Sequence, residues 1–138
     1  MLLPELSTYF NDTTGASTSI GTANVDLFFG SMPETTGACG CLYEYPGEPP
    51  EGRLGNTPTW AYEKPHVQMC VRSSSYTVGR LLIERYFTRA AKLVNRSIND
   101  VYYVGADCLQ SPFLLKRDEN NRWVFAFNMR IEKALSDS

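Results

Sequence analysis

Cys39-Gly40-Cys41, together with Cys70, Cys108 and the lone histidine His66, are the residue types that can hold a soft metal ion. Structural zinc sites place about two to four residues between paired cysteines. Here only Gly40 intervenes, and no second close pair follows. On a strand Cys39 and Cys41 point to one face, so small buried hydrophobes are the expected role. A small cytosolic metal-binding protein using Cys39, Cys41, Cys70 and His66 is the alternative.

Other chemistries find less support. Any imidazole acid–base scheme would rest on His66 alone, and no Gly-x-Ser-x-Gly elbow or serine in triad context occurs. Asp118 and Glu119 form a carboxylate pair, but with Asn120 and Asn121 they have the composition of a turn. Glycoside hydrolysis needs two carboxylates held across a cleft, which a hairpin tip does not supply. Gly52 and Gly55 lack the lysine and following helix of a phosphate loop. Arg80, Arg85, Arg89, Lys92 and Arg96 make a basic series interrupted by Glu84, read as a solvated helix face rather than a nucleic-acid surface. The expectation is a protein that is not an enzyme, with no cofactor and no metal.

The elements that would position these residues fit one domain over residues 1–138. A net charge of −2 argues against a broad nucleic-acid clamp. No run approaches the ~20 apolar residues that span a bilayer, and Met1-Leu2-Leu3-Pro4-Glu5-Leu6 lacks the basic and apolar regions of a signal peptide. A cytosolic origin with four reduced cysteines is expected.

Leu2, Leu3, Leu6, Tyr9 and Phe10 recur at helical spacing, predicting a short helix over 2–11. Asn24–Phe29 and Ala38–Tyr45 read as strands, the second with Cys39, Cys41, Tyr43 and Tyr45 on one face. Pro46 to Thr59 is rich in proline and glycine and reads as a long loop, flanked by Trp60 and Tyr62. Val67–Arg72 is a strand, and Ser73-Ser74-Ser75 offers N-caps for a helix over 76–95. That helix is apolar over a wide arc, so it is expected to pack on the sheet and also meet a neighbouring subunit. Val101–Leu109 is the next strand, and Phe113–Lys116 and Trp123–Glu132 form a closing hairpin. The expected fold class is α+β: a mostly antiparallel sheet packed against one long central helix and a short N-terminal helix, with a long Pro/Gly-rich loop.

Several segments, in order, resemble the tail-terminator or minor capsid family of long-tailed bacteriophages. They are Val25-Asp26-Leu27-Phe28-Phe29-Gly30-Ser31-Met32-Pro33 and Tyr43-Glu44-Tyr45-Pro46-Gly47-Glu48-Pro49-Pro50. Lys64-Pro65-His66-Val67-Gln68-Met69-Cys70-Val71-Arg72 follows, with Ser75-Tyr76 at the helix start. The last are Ser111-Pro112-Phe113-Leu114-Leu115-Lys116-Arg117-Asp118-Glu119-Asn120 and Phe125-Ala126-Phe127-Asn128-Met129-Arg130. The chain departs from the family pattern at Cys39-Gly40-Cys41 and in the length of the 46–59 segment.

The resemblance implies a small α+β virion subunit that closes into a ring, usually a hexamer, without catalytic residues. Such a ring caps the head-proximal end of the tail tube, ends its polymerisation and docks the tail to the head–tail connector. Its partners would be further copies of itself, the tube protein and the connector or stopper protein. DNA would pass the lumen without sequence-specific binding, no membrane would be involved, and assembly would take place in the host cytoplasm. A head-completion or stopper protein of the neck is the alternative. If the chain forms a ring, Trp60, Tyr62, Arg72, Tyr76, Arg80 and Arg117 are the expected interface residues, since aromatics and arginine are favoured at interface centres. Glu34, Glu44, Glu48 and Glu51 are the expected lumen lining, because an acidic wall does not hold phosphates.

Overall fold

A computed structural model of the chain describes residues 2–11, 27–31, 38–51 and 62–134, with 47–51 and 62 described by backbone alone. The elements run α1 (Leu2–Asn11), β1 (Leu27–Phe29), β2 (Cys39–Glu51), β3 (Tyr62–Ser73), α2 (Tyr76–Ala91), β4 (Val94–Ile98), β5 (Val101–Cys108), β6 (Phe113–Arg117) and β7 (Trp123–Ala134). The seven strands form one sheet in the order β1-β2-β3-β7-β5-β4, with β6 also on β7. β1 lies parallel to β2, and the other pairings are antiparallel. The expected α+β class with two helices and a mostly antiparallel sheet is present.

Strand β7 organises the sheet. One edge pairs with β3 from Tyr62↔Ala134 to Ser73↔Trp123. The other edge is shared: β6 covers Trp123 to Ala126, and β5 covers Met129 to Lys133. Alternation in β7 places Phe125, Phe127, Met129 and Ile131 in the main core with Met69, Val71, Leu42 and Tyr103. Both helices cover that face. From α1 come Leu2, Leu6, Tyr9 and Phe10, and from α2 come Ile83, Tyr86 and Ala90. Ser75 caps α2, its side chain accepting from the Val78 amide at 3.3 Å.

The structure corrects two expectations about the elements. Helix α2 ends at Ala91, not Asn95, so the helix has 16 residues. The Leu93 amide bonds back to the Ala90 carbonyl, and the Leu93 carbonyl then accepts from the Ala106 amide. The chain has passed from helix to sheet, and Val94–Ile98 is a strand absent from the sequence reading. Asn95 at φ 47 and the Asn99-Asp100 turn at φ 51 and 65 adopt left-handed backbone, which Asn and Asp tolerate. The two-residue turn closes Ile98 onto Val101, a hairpin of the favoured twist.

The second correction concerns the 46–59 loop. Its first part is strand, since β2 continues to Glu51, while residues 52–59 lie outside the described residues. Register shifts fall between Tyr45 and Glu48 and between Glu48 and Glu51, where Pro46, Pro49 and Pro50 sit. β1 pairs with β2 only as far as Leu42, so beyond it β1 makes no demand on the amides that proline lacks.

Candidate functional site

The helices cover one face of the sheet, and the other face carries a polar groove. Period-two alternation brings Cys39, Cys41, Tyr43 and Tyr45 of β2 to this side, opposite Arg72, Cys70, Gln68 and His66 of β3. Cys70, Val124 and Ala126 pack there as a small second core, with Tyr43 and Phe113 against it. The β6–β7 hairpin rises beside it and encloses a groove of about 590 Å³. Its floor is Tyr43, Gln68, Cys70, Arg72 and Val124, and its wall is Leu115 to Asn120 with Arg122.

The hairpin tip is held by Asp118. Its carboxylate accepts from the Asn120 and Arg122 amides at 2.9 and 2.8 Å, and from Arg122 Nε at 2.7 Å. Burial opposes ionisation of Asp118, but the Arg122 and Asn120 hydrogen bonds and the Arg122 charge together prevail and hold it below the usual carboxylate range. Asn121 takes the left-handed conformation at φ 58. Next to the tip, the Arg117 guanidinium lies 4.2 Å from the Trp123 ring centroid. Trp123 in turn meets Tyr76 edge-on at 5.2 Å, so Arg117 of the groove wall is linked through Trp123 to α2.

The thiols have the electrostatics of core residues. Burial raises Cys41, and burial followed by the neighbouring Cys41 pushes Cys70 up to about 12. Both shifts favour the neutral thiol. Among the described residues no three His, Cys, Asp or Glu side chains come together as a metal site. His66 packs edge-on against Tyr45 at 5.2 Å.

Arg72 and Arg117, both expected at interfaces, share the groove, and Tyr76 joins them through Trp123. Arg72 is 6% exposed, at the groove floor. Arg80 stands apart, donating to Glu84 at 3.1 Å and to the Pro112 carbonyl at 2.9 Å. Tyr62 begins β3, and Trp60 and Glu34 lie outside the described residues. Glu44 is exposed on β2, and Glu48 and Glu51 occupy the last part of that strand. The basic series is not one helix face, since Arg96 lies on β4, and part of it holds α1: Arg89 of α2 donates to the Tyr9 carbonyl at 3.0 Å, and Arg89 and Arg96 lie over the Tyr9 ring.

Sequence reasoning missed Lys116 and Arg122 as groove residues, and a buried polar cluster under α1. In that cluster Lys133, 3% exposed, lies 3.1 Å from Glu63 and 3.6 Å from Glu5. Period two in β7 offered a signal, since it continues the core face Phe125, Phe127, Met129, Ile131 to Lys133.

Residues 16–135 match the family model described as bacteriophage tail terminator protein. No curated protein matches the chain.

Proposed function

The chain belongs to the bacteriophage tail terminator family, and on that premise we propose that it forms a ring, hexameric in the family pattern, on the head-proximal end of the tail tube. There it ends tube polymerisation and docks the tail to the head–tail connector. The observation that carries this is the family match across almost the whole chain, and the family is one of structural tail proteins.

Features of the surface support the same reading. Val78 and Leu81 on the outer side of α2 are 51% and 57% exposed, and Leu114 and Leu115 are exposed on β6. Apolar side chains of that kind suit contacts with neighbouring subunits. Arg72 and Arg117 in the groove, Tyr76 and Arg80 on α2 and Tyr62 at the start of β3 are the proposed contact residues, with Trp60, which lies outside the described residues. A net charge of −2 suits a subunit around a DNA passage that holds no sequence. Among the described residues no helix is long and apolar enough to cross a membrane.

The test is an image reconstruction of virions of the parent phage, focused on the neck. A single ring of this chain between tube and connector is the expected result. Density in the connector layer instead would make it a stopper, and absence from the neck would end the proposal.

A further inference from the structure

The two ends of the sheet carry opposite charge. At one end the groove presents four cations, Arg72, Lys116, Arg117 and Arg122, against two carboxylates, Asp118 and Glu119. Asp118 is already engaged by Arg122 and two backbone amides, so Lys116 and Arg117 are the surplus at the rim. At the other end β2 runs out through Glu44-Tyr45-Pro46-Gly47-Glu48-Pro49-Pro50-Glu51, three carboxylates against one cation, Lys64, on the neighbouring strand. Three prolines hold this stretch extended and lower the entropy lost when it docks.

The acidic stretch does not reach the groove of its own subunit. Glu48 is registered with Lys64 and Glu51 with Tyr62, whereas the groove is built around Arg72 and Val124. The groove floor extends along the strands to Tyr43 and Gln68. Lys116 and Arg117, however, lie level with Arg72 and Ser73, eight to eleven residues of β3 from the partners of Glu48 and Glu51, roughly 30 Å of strand. Complementary patches at opposite ends of one subunit form head-to-tail contacts, and such contacts close into rings when the rotation allows.

We infer that the acidic proline-rich end of β2, around Glu48 and Glu51, docks in the groove of a second copy, against Lys116 and Arg117 at its mouth. This rests on the ring proposed above and names its seam. It also gives Glu48 and Glu51 a contact role in place of the lumen lining expected from sequence. A peptide segment fits better than duplex DNA, because two surplus cations match a few carboxylates, whereas a phosphate backbone engages a longer run of positive charge.

The test uses two full-length chains, each disabled at one end. One carries Lys116→Glu and Arg117→Glu, and the other carries Glu48→Gln and Glu51→Gln. Each retains one intact patch, so neither can self-associate through this contact, yet the pair can bind once. Fluorescence titration and light scattering are expected to show a saturable one-to-one complex between the two variants. Self-association of either variant should be at least about tenfold weaker, and high salt should weaken the mixed complex. Circular dichroism and thermal melts confirm that both variants fold.

No mixed complex, or one no tighter than self-association, overturns the inference, whether or not the wild-type chain is monomeric in solution. Wild-type binding to a DNA duplex, lost on Lys116→Glu and Arg117→Glu while the mixed pair stays apart, would assign the groove to nucleic acid instead. A wild-type tube-capping assay run in parallel separates the two failures. Capping without mixed-pair binding removes only this seam; binding without capping removes the terminator assignment.

Discussion

The Tyr103 hydroxyl donates to the Glu5 carboxylate at 2.6 Å, joining α1 to the sheet across 98 residues of sequence. Lys133 lies beside the same carboxylate and 3.1 Å from Glu63. A cation, two carboxylates and a phenol thus meet beneath the N-terminal helix. A buried charge is tolerable only when its partners remain.

Removing the cation should therefore destabilise more than removing the phenol hydroxyl. Lys133→Met removes the buried ammonium that Glu5 and Glu63 share and should cost about 3 kcal/mol, while Tyr103→Phe should cost about 1–2 kcal/mol. Urea unfolding monitored by tryptophan fluorescence measures both. Equal and small losses would mean that the cluster does not anchor α1.

The same cluster sets an acid limb to stability. Burial opposes ionisation of Glu5, but hydrogen bonds, including that from Tyr103, and the Lys133 charge prevail, so its carboxyl ionises below the ordinary 4.5. The folded chain then releases its proton more readily than the unfolded chain. The stabilisation is complete above about pH 4.5 and is lost as pH falls through the lower folded value. Unfolding midpoints across that range should fall with acidification, and Glu5→Gln should flatten the slope. An unchanged slope in Glu5→Gln would assign the acid limb to other groups.

Gly79 tests close approach of helix to sheet. A Cβ there would lie 2.9 Å from Phe125 Cε2 and 3.1 Å from Ser73 Cβ. Alanine favours helix by about 1 kcal/mol over glycine, yet Gly79→Ala should destabilise by about 2 kcal/mol because the buried ring must shift. A gain in thermal stability would show that the contact relaxes freely.

Sequence alone read most of the fold and less of the site. Amphipathic spacing located α1, and short β-prone runs bounded by turn residues located β5, β6, β7 and the core of β3. β4 was missed because its exposed Val94, Asn95 and Ser97 give no apolar alternation, and its hairpin is marked only by Asn99-Asp100. β2 was cut short because proline opposes a ladder, and only the pairing pattern shows that bulges absorb Pro46, Pro49 and Pro50. The reason for Gly79 is invisible in sequence, since its neighbour Phe125 is distant along the chain. The groove was illegible for the same reason: Arg72 and Arg117 meet only through the order β3-β7-β6.

The cysteines should behave as core residues. With Cys70 pushed up to about 12, its thiolate fraction near pH 8 is about one in ten thousand. Native-state alkylation of Cys39, Cys41 and Cys70 should proceed only as fast as the chain unfolds, and zinc should leave the melting temperature unchanged. Rapid labelling, or a zinc-dependent rise in melting temperature with stoichiometric metal by elemental analysis, would revive the metal-binding alternative.

The most direct test of the terminator role is to polymerise the parent phage's tube protein with and without this chain and image the products by electron microscopy. Tubes that stop growing at a defined end bearing extra density of this chain are the expected result. Tubes that elongate unchecked, with the chain left in solution, would contradict it.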